Sequence, residues 1–182
     1  MKTEYRFVEE LKKMMSEKPL EEISVLSLTK KCGVNRQTFY YHFHDIYDLL
    51  TLVFLREKIE GIDKVKSFVD MVTIIYKYYD ANKAFVDATL SSAGKDLFQE
   101  FVYNVCYQCT MNIIASYKIS GSVPPDAKKN VARFYGSAFC NSIIYYLNTY
   151  KNKSLNGLLN NFSFVEALEL SKVLQNSAKY SQ

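Results

Sequence analysis

The stretch that most constrains this fold is residues 24–45, where two short helical segments are joined by a tight turn. Ser24 and Asn35 each precede one of these segments, and their side chains can accept a hydrogen bond from a free N–H group in a first helical turn. Gly33 lies between the segments, where glycine enters the left-handed conformation without a steric penalty. The pattern therefore predicts a helix-turn-helix.

The second segment of this motif has one apolar side and one polar side. Phe39 and Phe43 are four residues apart, so a helix directs both into the core. The opposite side carries groups that can read bases, because arginine bonds guanine, glutamine bonds adenine and the threonine methyl meets the thymine methyl. The exposed positions are Arg36, Gln37, Thr38, Tyr40 and Tyr41. We expect a helix of a size and chemistry that suit the major groove of DNA.

This stretch resembles the helix-turn-helix of the tetracycline-repressor (TetR) family of bacterial transcription regulators. The resemblance rests on positions 23–25, 28–29, 32–36, 38–43, 45 and 49–50, within a match over about residues 5–55. Residues 35–43, followed by residues 45–49, also resemble a subgroup that includes regulators of dihydroxyacetone kinase operons. One position departs from the family, which often has a phosphate-contacting lysine where this chain has Ile46. That contact is absent here or is made by another residue.

The resemblance implies a DNA-binding transcription regulator and suggests three groups of contact residues. The residues expected to hold phosphates are Ser24, Val25, Lys30 and Lys31. The residues expected to approach base edges are Arg36, Gln37, Thr38 and Tyr40. Asn35 begins the reading helix, while Tyr41 and His42 either contact phosphates or support the helix. The alternatives are a solvated basic face for the lysines and an aromatic rim of the core for residues 40–42.

The composition indicates a helical globular protein. Only 6 of the 182 residues are glycine and 3 are proline, and no long alternating run indicates a strand. We expect an all-α fold of about nine helices, with a helix-turn-helix DNA-binding domain in residues 1–45 and a helical regulatory and dimerisation domain in residues 46–182. The net charge of +4 does not by itself indicate nucleic-acid binding. No apolar run is long enough for a membrane span and no signal-peptide pattern is present, so we expect a cytoplasmic protein without membrane contact.

Apolar spacing predicts helices along the rest of the chain. Residues 3–17 form the first, and Asp45 begins a fourth helix whose apolar positions continue to Ile62. Asp48 and Asp45 resemble a capping box at its start. The further helices are expected near residues 64–80, 82–91, 94–118, 126–150 and 162–178. Residues 152–157 are expected to form a loop.

The last two predicted helices carry stripes that indicate an interface. In the helix predicted near residues 126–150, small side chains recur every four residues, with two larger apolar residues beside them. The helix predicted near residues 162–178 has an apolar stripe of its own. The interface residues expected from these stripes are Ala132, Gly136, Cys140, Ile143, Leu147, Ala167, Leu170 and Leu174. In the resembled family the last two helices of each protomer form a four-helix dimer interface, while an internal core is the alternative. A homodimer would present two reading helices about 34–36 Å apart to a palindromic site on double-stranded DNA.

Residues 68–150 are dense in aromatic side chains, which indicates a possible ligand pocket. Tyrosine combines an apolar body with a polar tip and therefore suits an amphipathic small molecule. The candidate lining residues are Tyr76, Tyr79, Phe101, Tyr107 and Phe139. Plain core packing is the alternative. The resemblance implies that this region senses a small-molecule effector or, as in a minority of the family, a protein partner.

Other functional classes find little support in the sequence. It has no glycine-rich phosphate loop, nucleophile elbow or spaced set of metal ligands, so we expect no enzyme, no cofactor and no bound metal. Cys106 and Cys109 are spaced as C-x-x-C without a second pair, and we expect buried, reduced thiols, with a thiol sensor as the alternative. We expect a repressor released by a small-molecule effector. The alternative is a regulator that acts mainly through a protein partner, for which Ile46 is one motive.

Overall fold

A computed structural model describes residues 2–167 and 170–179, without the side chains of Lys2, Glu166, Ala167, Ala178 and Lys179. Every regular element in these ranges is helical, which confirms the predicted all-α fold. The α-helices are α1 (Lys2–Glu17), α2 (Val25–Lys31), α3 (Arg36–His42), α4 (Ile46–Arg56), α5 (Phe68–Ala81), α6 (Lys83–Leu90), α7 (Lys95–Ser116), α8 (Pro125–Thr149), α9 (Leu155–Asn160) and α10 (Leu170–Lys179). Short 3₁₀ segments are formed by Leu20–Glu22, Ile62–Lys64, Lys118–Ser122 and Ser163–Ala167. Among the helices described, none is both long and apolar enough to cross a membrane.

The chain divides into two compact units. Unit 1 comprises Met1–Lys58 and Tyr79–Phe101, and unit 2 comprises Ile59–Tyr78 and Val102–Gln182. Because α5 and α7 each run across one of these boundaries, each helix contributes residues to both units. The predicted division into residues 1–45 and 46–182 separates functional roles and stays a prediction.

An aromatic cluster holds the N-terminal helices of unit 1 together. The ring centroid of Phe7 on α1 lies 5.4 Å from that of Phe39 and 5.9 Å from that of Phe43, both nearly edge to face. All three side chains are buried. Edge-to-face aromatic pairs contribute about 0.5–1.5 kcal/mol beyond the area they bury. This cluster therefore fixes the apolar side of α3 against α1 and leaves the other side of α3 exposed.

Residues 79–101 complete the core of unit 1. Phe54 on α4 lies with its ring centroid 5.6 Å from Phe85, 5.7 Å from Phe98 and 5.6 Å from Phe101. The Lys12 ammonium lies 5.5 Å from the ring centroid of Phe85 and 2.6 Å from a Glu57 carboxylate oxygen. Helix α6 and the start of α7 are thus packed directly on the helices that carry the helix-turn-helix.

Unit 2 is organised by a stack of rings and a close helix contact. Phe139 on α8 lies between Phe68 and Phe162, with centroid distances of 4.6 Å and 4.9 Å. Gly136 on the same helix faces the backbone of Tyr107 on α7, where an added Cβ atom would lie 3.2 Å from the Tyr107 nitrogen. Glycine at this position allows α7 and α8 to approach closely.

Several predicted helix bounds differ from the observed ones. Helix α4 ends at Arg56, well before Ile62. Residues 152–157 were expected to form a loop, but α9 begins inside that range because the Ser154 hydroxyl accepts a hydrogen bond from the Gly157 N–H and Leu158 is buried. The helix predicted for residues 162–178 is a 3₁₀ segment followed by α10.

Candidate nucleic-acid interface

The helix-turn-helix is built from local hydrogen bonds that its sequence specifies. Ser24 and Ser27 form a reciprocal capping box, each accepting a hydrogen bond of 3.1 Å from the other's backbone N–H. Gly33 ends α2 with φ of 64°, in the left-handed region that favours glycine. The Asn35 amide oxygen accepts hydrogen bonds from the Thr38 N–H at 2.8 Å and the Thr38 hydroxyl at 3.0 Å. These contacts fix where the second helix begins.

Helix α3 has a polar face that is open to solvent. Asn35, Arg36 and Gln37 are exposed, and Thr38 is half-buried. Tyr40 is 51% exposed and Tyr41 is 85% exposed. No acidic residue occurs between Glu22 and Asp45, so this face carries no negative side chain of its own. The residues predicted to approach base edges therefore share one face of one helix.

Arg36 and Tyr40 contact each other on this face. An Arg36 Nη2 atom donates a hydrogen bond of 3.3 Å to the Tyr40 hydroxyl, and the guanidinium carbon lies 5.9 Å from the Tyr40 ring centroid. The residues are one helical turn apart, which places their side chains side by side. Tyr40 therefore contacts the guanidinium on the exposed face of α3.

The residues predicted to hold phosphates lie on α2 and at its start. Ser24, Lys30 and Lys31 are exposed, and Val25 is half-buried. Neither lysine forms an ion pair with any residue that the structure describes, so both ammonium groups are available to an anion.

Two residues of α2 were missed by the sequence analysis. Ser27 completes the capping box, and the serine spacing from Ser24 was the available signal. Leu26 is 61% exposed. The signal in the sequence was its spacing, because a helix directs Leu26 away from the inward face that carries Leu28. An exposed leucine beside the two lysines adds an apolar side chain to this surface.

His42 lies at the end of α3 and faces the first helix. Its Nδ1 atom is 3.5 Å from a Glu4 carboxylate oxygen, and the other Glu4 oxygen accepts a hydrogen bond of 2.7 Å from Arg56. The Arg56 hydrogen bond lowers the pKa of Glu4. This arrangement joins α1, α3 and α4 and is consistent with a supporting role for His42.

Ile46 occupies the first position of α4 and is buried. The preceding Asp45 accepts a hydrogen bond of 2.9 Å from the Asp48 N–H, which starts the helix. In this chain the position where the resembled family often has lysine is therefore part of the core. A phosphate contact near the start of α4 has to come from another side chain.

The predicted dimer stripe lies inside unit 2. The side chains of the stripe that the structure describes are all buried within this single chain, and Gly136 is covered by the backbone of Tyr107. The buried positions are Ala132, Gly136, Cys140, Ile143, Leu147, Leu170 and Leu174. The side chain of Ala167 lies outside the described part. This burial within one chain favours the internal-core alternative at the described positions, and a dimer interface along the stripe stays a prediction.

The five predicted pocket residues are divided between the two units. Tyr79 and Phe101 belong to unit 1, where the Tyr79 hydroxyl donates a hydrogen bond of 3.2 Å to Asp87. Tyr76 donates a hydrogen bond of 3.0 Å to the Lys153 carbonyl in unit 2. Tyr107 and Phe139 are packing residues of α7 and α8. A cavity of unit 2 is lined by other residues, and the pocket predicted from the sequence stays a prediction.

The four cysteines are buried thiols. Burial raises the pKa of Cys32 and of Cys140 to about 11, and that of Cys109 to about 12. Burial also raises the pKa of Cys106, with Cys140 and Cys109 contributing. Because the thiolate is the reactive form, these shifts make the thiols poor nucleophiles. The arrangement favours the interpretation of buried, reduced cysteines over a thiol sensor.

Part of the sequence and the overall fold are shared with known proteins. Residues 66–163, just over half of the 182 residues, match a TetR-type family model described as the transcriptional regulator C-terminal region. A solved structure named "Dihydroxyacetone kinase operon activator DhaS" is similar over 94% of this chain and 96% of that chain, with 18% sequence identity and a TM-score of 0.60. At that identity the similarity establishes the fold alone. No curated protein sequence matches the chain.

Proposed function

The chain belongs to the TetR family of transcriptional regulators, and from this premise we propose that it binds specific DNA sequences through α3. The observation that carries the proposal is the exposed face of α3, which presents Arg36, Gln37 and Thr38 while Phe39 anchors the helix in the core. Hydrogen bonds from such side chains to base edges would supply sequence discrimination.

The phosphate contacts of this proposal come from α2 and its start. The exposed Lys30 and Lys31 would each neutralise a phosphate, which supplies affinity without sequence preference. The N–H groups at the start of α2 add little, because Ser24 and Ser27 already satisfy each other there. The two lysines are therefore the main candidates for phosphate contacts.

We place the dimer surface on the exposed side of α8. Phe134 is 70% exposed and Tyr145 is 63% exposed, and Ala138 and Asn141 lie between them on the same helix face. Spacings of three, four and seven residues align these four side chains along α8. Large exposed aromatics flanking small residues suit a helix of a second copy. A homodimer formed there would read a two-fold symmetric operator.

The finer proposal is a repressor that a small-molecule effector releases from DNA. The cavity in unit 2 supports this, since an effector needs a site in the regulatory part of the chain. Release requires that the effector bind the DNA-competent and the released forms with different affinity. The second candidate is regulation through a protein partner with weak DNA binding, which the buried Ile46 favours because it removes one phosphate contact.

Selection of DNA sequences tests the proposal. The full chain is incubated with random duplexes at about 0.15 M salt, a physiological ionic strength, and retained sequences are amplified through several rounds. The proposal expects an enriched sequence with two-fold symmetry and half-sites about one helical turn apart. Enrichment of no common sequence would contradict sequence-specific binding by this chain.

Salt dependence separates the phosphate contacts from the rest. For Lys30→Ala we expect the slope of log affinity against log salt to fall by about one, with similar losses on all DNA sequences. Lys13→Ala removes the same charge from an exposed position of α1 and should leave the slope unchanged. Equal slopes for the two variants would remove Lys30 from the interface.

A further inference from the structure

Unit 2 contains a cavity of about 630 Å³. Pockets for drug-sized molecules have volumes of roughly 300–1,000 Å³, so a small organic molecule fits. The cavity lies between the start of α5, the end of α7, α9 and the 3₁₀ segment Ser163–Ala167. None of the residues predicted from sequence as pocket residues lines it.

One wall of the cavity is apolar and already assembled. Phe68 and Phe162 both line it, and Phe139 lies between their rings with interplanar angles of 18° and 25°. The buried side chains of Val72 and Ile113 extend the apolar surface. The two lining rings are each stacked on Phe139 and have less freedom left to lose on binding, which favours affinity for an apolar body.

The rim of the cavity is polar and carries a positive charge. Lys66, Ser67, Asn160 and Ser163 contribute to the lining, and Lys66 is the charged residue among the lining residues that the structure describes. Its ammonium forms no ion pair with the described part of the chain.

Asp70, four residues after Lys66, is already engaged at the start of α5. Its carboxylate accepts hydrogen bonds from the Lys66 N–H at 3.1 Å and the Ser67 N–H at 3.0 Å. These bonds, the Lys66 N–H first, lower the pKa of Asp70. The carboxylate therefore serves the helix start, and the Lys66 ammonium stays available to a ligand.

We propose that this cavity binds an amphipathic monocarboxylate. The apolar body lies against the wall formed by Phe68 and Phe162, and the carboxylate meets the Lys66 ammonium at the rim, with Asn160 and Ser163 as further hydrogen-bond donors. A positive rim beside an apolar wall selects a molecule with one negative end. The inference deepens the proposed function by naming the effector class, and only its consequence for DNA rests on that function.

Calorimetric titration of the full chain in the absence of DNA tests the site. The probes are decanoate, decan-1-ol and decylammonium, which share one apolar chain and differ in charge. The two ions are used below their micelle-forming concentrations and decan-1-ol below its solubility limit. We expect decanoate to bind most tightly and decylammonium most weakly. Equal or tighter binding of decylammonium, or no binding of decanoate, overturns the proposal.

Two variants and one control locate the binding. Lys66→Met keeps the apolar stem and should weaken decanoate roughly three- to tenfold, because solvent screens an exposed ammonium, while decan-1-ol binding stays unchanged. Lys77→Met removes the same charge from an exposed position of α5 outside the cavity lining and should change neither affinity. Equal effects of the two substitutions overturn the role of Lys66.

Val69→Trp narrows the cavity from a partly exposed lining position and should abolish binding of both decanoate and decan-1-ol. Unchanged affinities would place the binding elsewhere and overturn the site. Because no DNA is present in these titrations, their failure leaves the DNA-binding proposal standing, and failure of DNA binding leaves these results interpretable.

Discussion

Replacing Arg36 by lysine separates base reading from simple charge at the candidate interface. Lysine keeps the positive charge but loses the planar fork that bonds guanine with two parallel hydrogen bonds. A bidentate base contact contributes about 1–3 kcal/mol of discrimination. At about 1.4 kcal/mol for each factor of ten, Arg36→Lys should weaken the specific site about 5- to 140-fold.

The contact between Arg36 and Tyr40 sets the size of a second, smaller effect. Tyr40→Phe removes only the hydroxyl that accepts the 3.3 Å hydrogen bond and keeps the ring beside the guanidinium. Because this bond is long and exposed, we assign it about 0.5 kcal/mol, at the low end for a protein hydrogen bond. The variant should therefore lose about twofold in affinity if positioning of Arg36 is the main role of the hydroxyl.

Fluorescence anisotropy with the selected site and with every single-base change of that site measures both variants. For Arg36→Lys we expect the base preference to be lost at one base pair of each half-site and the affinity for unrelated DNA to change little. A loss that is equal on all sequences would make Arg36 a phosphate contact. Unchanged binding of Arg36→Lys to every duplex would refute a role in base reading.

Two further pairs of substitutions test the packing behind the interface. Phe39→Ala should cost about 3–5 kcal/mol of unfolding free energy in urea, whereas Tyr41→Ala, at an exposed position, should stay within about 0.5 kcal/mol. Gly136→Leu should lower the free energy of unfolding by roughly 1–2 kcal/mol in the same assay. The overpacking penalty of about 1–3 kcal/mol exceeds the free energy gained from the higher helix propensity of leucine. Ala138→Leu should leave stability unchanged but weaken the dimer in sedimentation. A larger stability loss for Tyr41→Ala than for Phe39→Ala would contradict the assigned burial. A weakened dimer for Gly136→Leu and not for Ala138→Leu would contradict the proposed dimer surface.

The helix-turn-helix was predictable because its signals are local. Ser24, Gly33 and Asn35 act on backbone groups within a few residues, so their types and spacing define the turn. The inward direction of Phe39 and Phe43 follows from their spacing, and their burial confirms it. Packing of residues 79–101 onto α1 had no local signal, since it depends on distant pairs such as Lys12 with Phe85.

The helix α9, in contrast, is not specified by local propensity alone. Asn156 and Gly157 favour a turn by propensity, but the Ser154 cap and the burial of Leu158 in unit 2 override it. Burial against residues far along the chain cannot be read from a window of six residues. For that reason the loop prediction holds for residues 152–154 and is wrong from Leu155 onward.

The predicted stripe on α8 shows what periodicity leaves open. Small residues recur on two sides of this helix, at Ala132 and Gly136 and again at Ser137 and Ala138. Spacing identifies each face but not the element that covers it. The backbone of Tyr107 covers the first face, and this contact between α7 and α8 is a property of the folded unit.

The cavity could not be located by counting aromatic residues. Its wall contains Phe68 and Phe162, which are 94 positions apart in the chain (162 minus 68) and meet through Phe139. The predicted residues Tyr79 and Phe101 lie in the other unit. Aromatic density in residues 68–150 therefore did not indicate which side chains surround this cavity.

The central claim is that this regulator reads a specific DNA sequence, and one anisotropy titration tests it most directly. The full chain is titrated into labelled DNA from upstream of its own coding region and into a scrambled duplex of equal composition, at several salt concentrations. We expect much tighter binding to the native fragment than to the scrambled duplex, and a preference for the native fragment that remains as salt rises. Equal, steeply salt-dependent binding to both duplexes, or binding to neither, would contradict it.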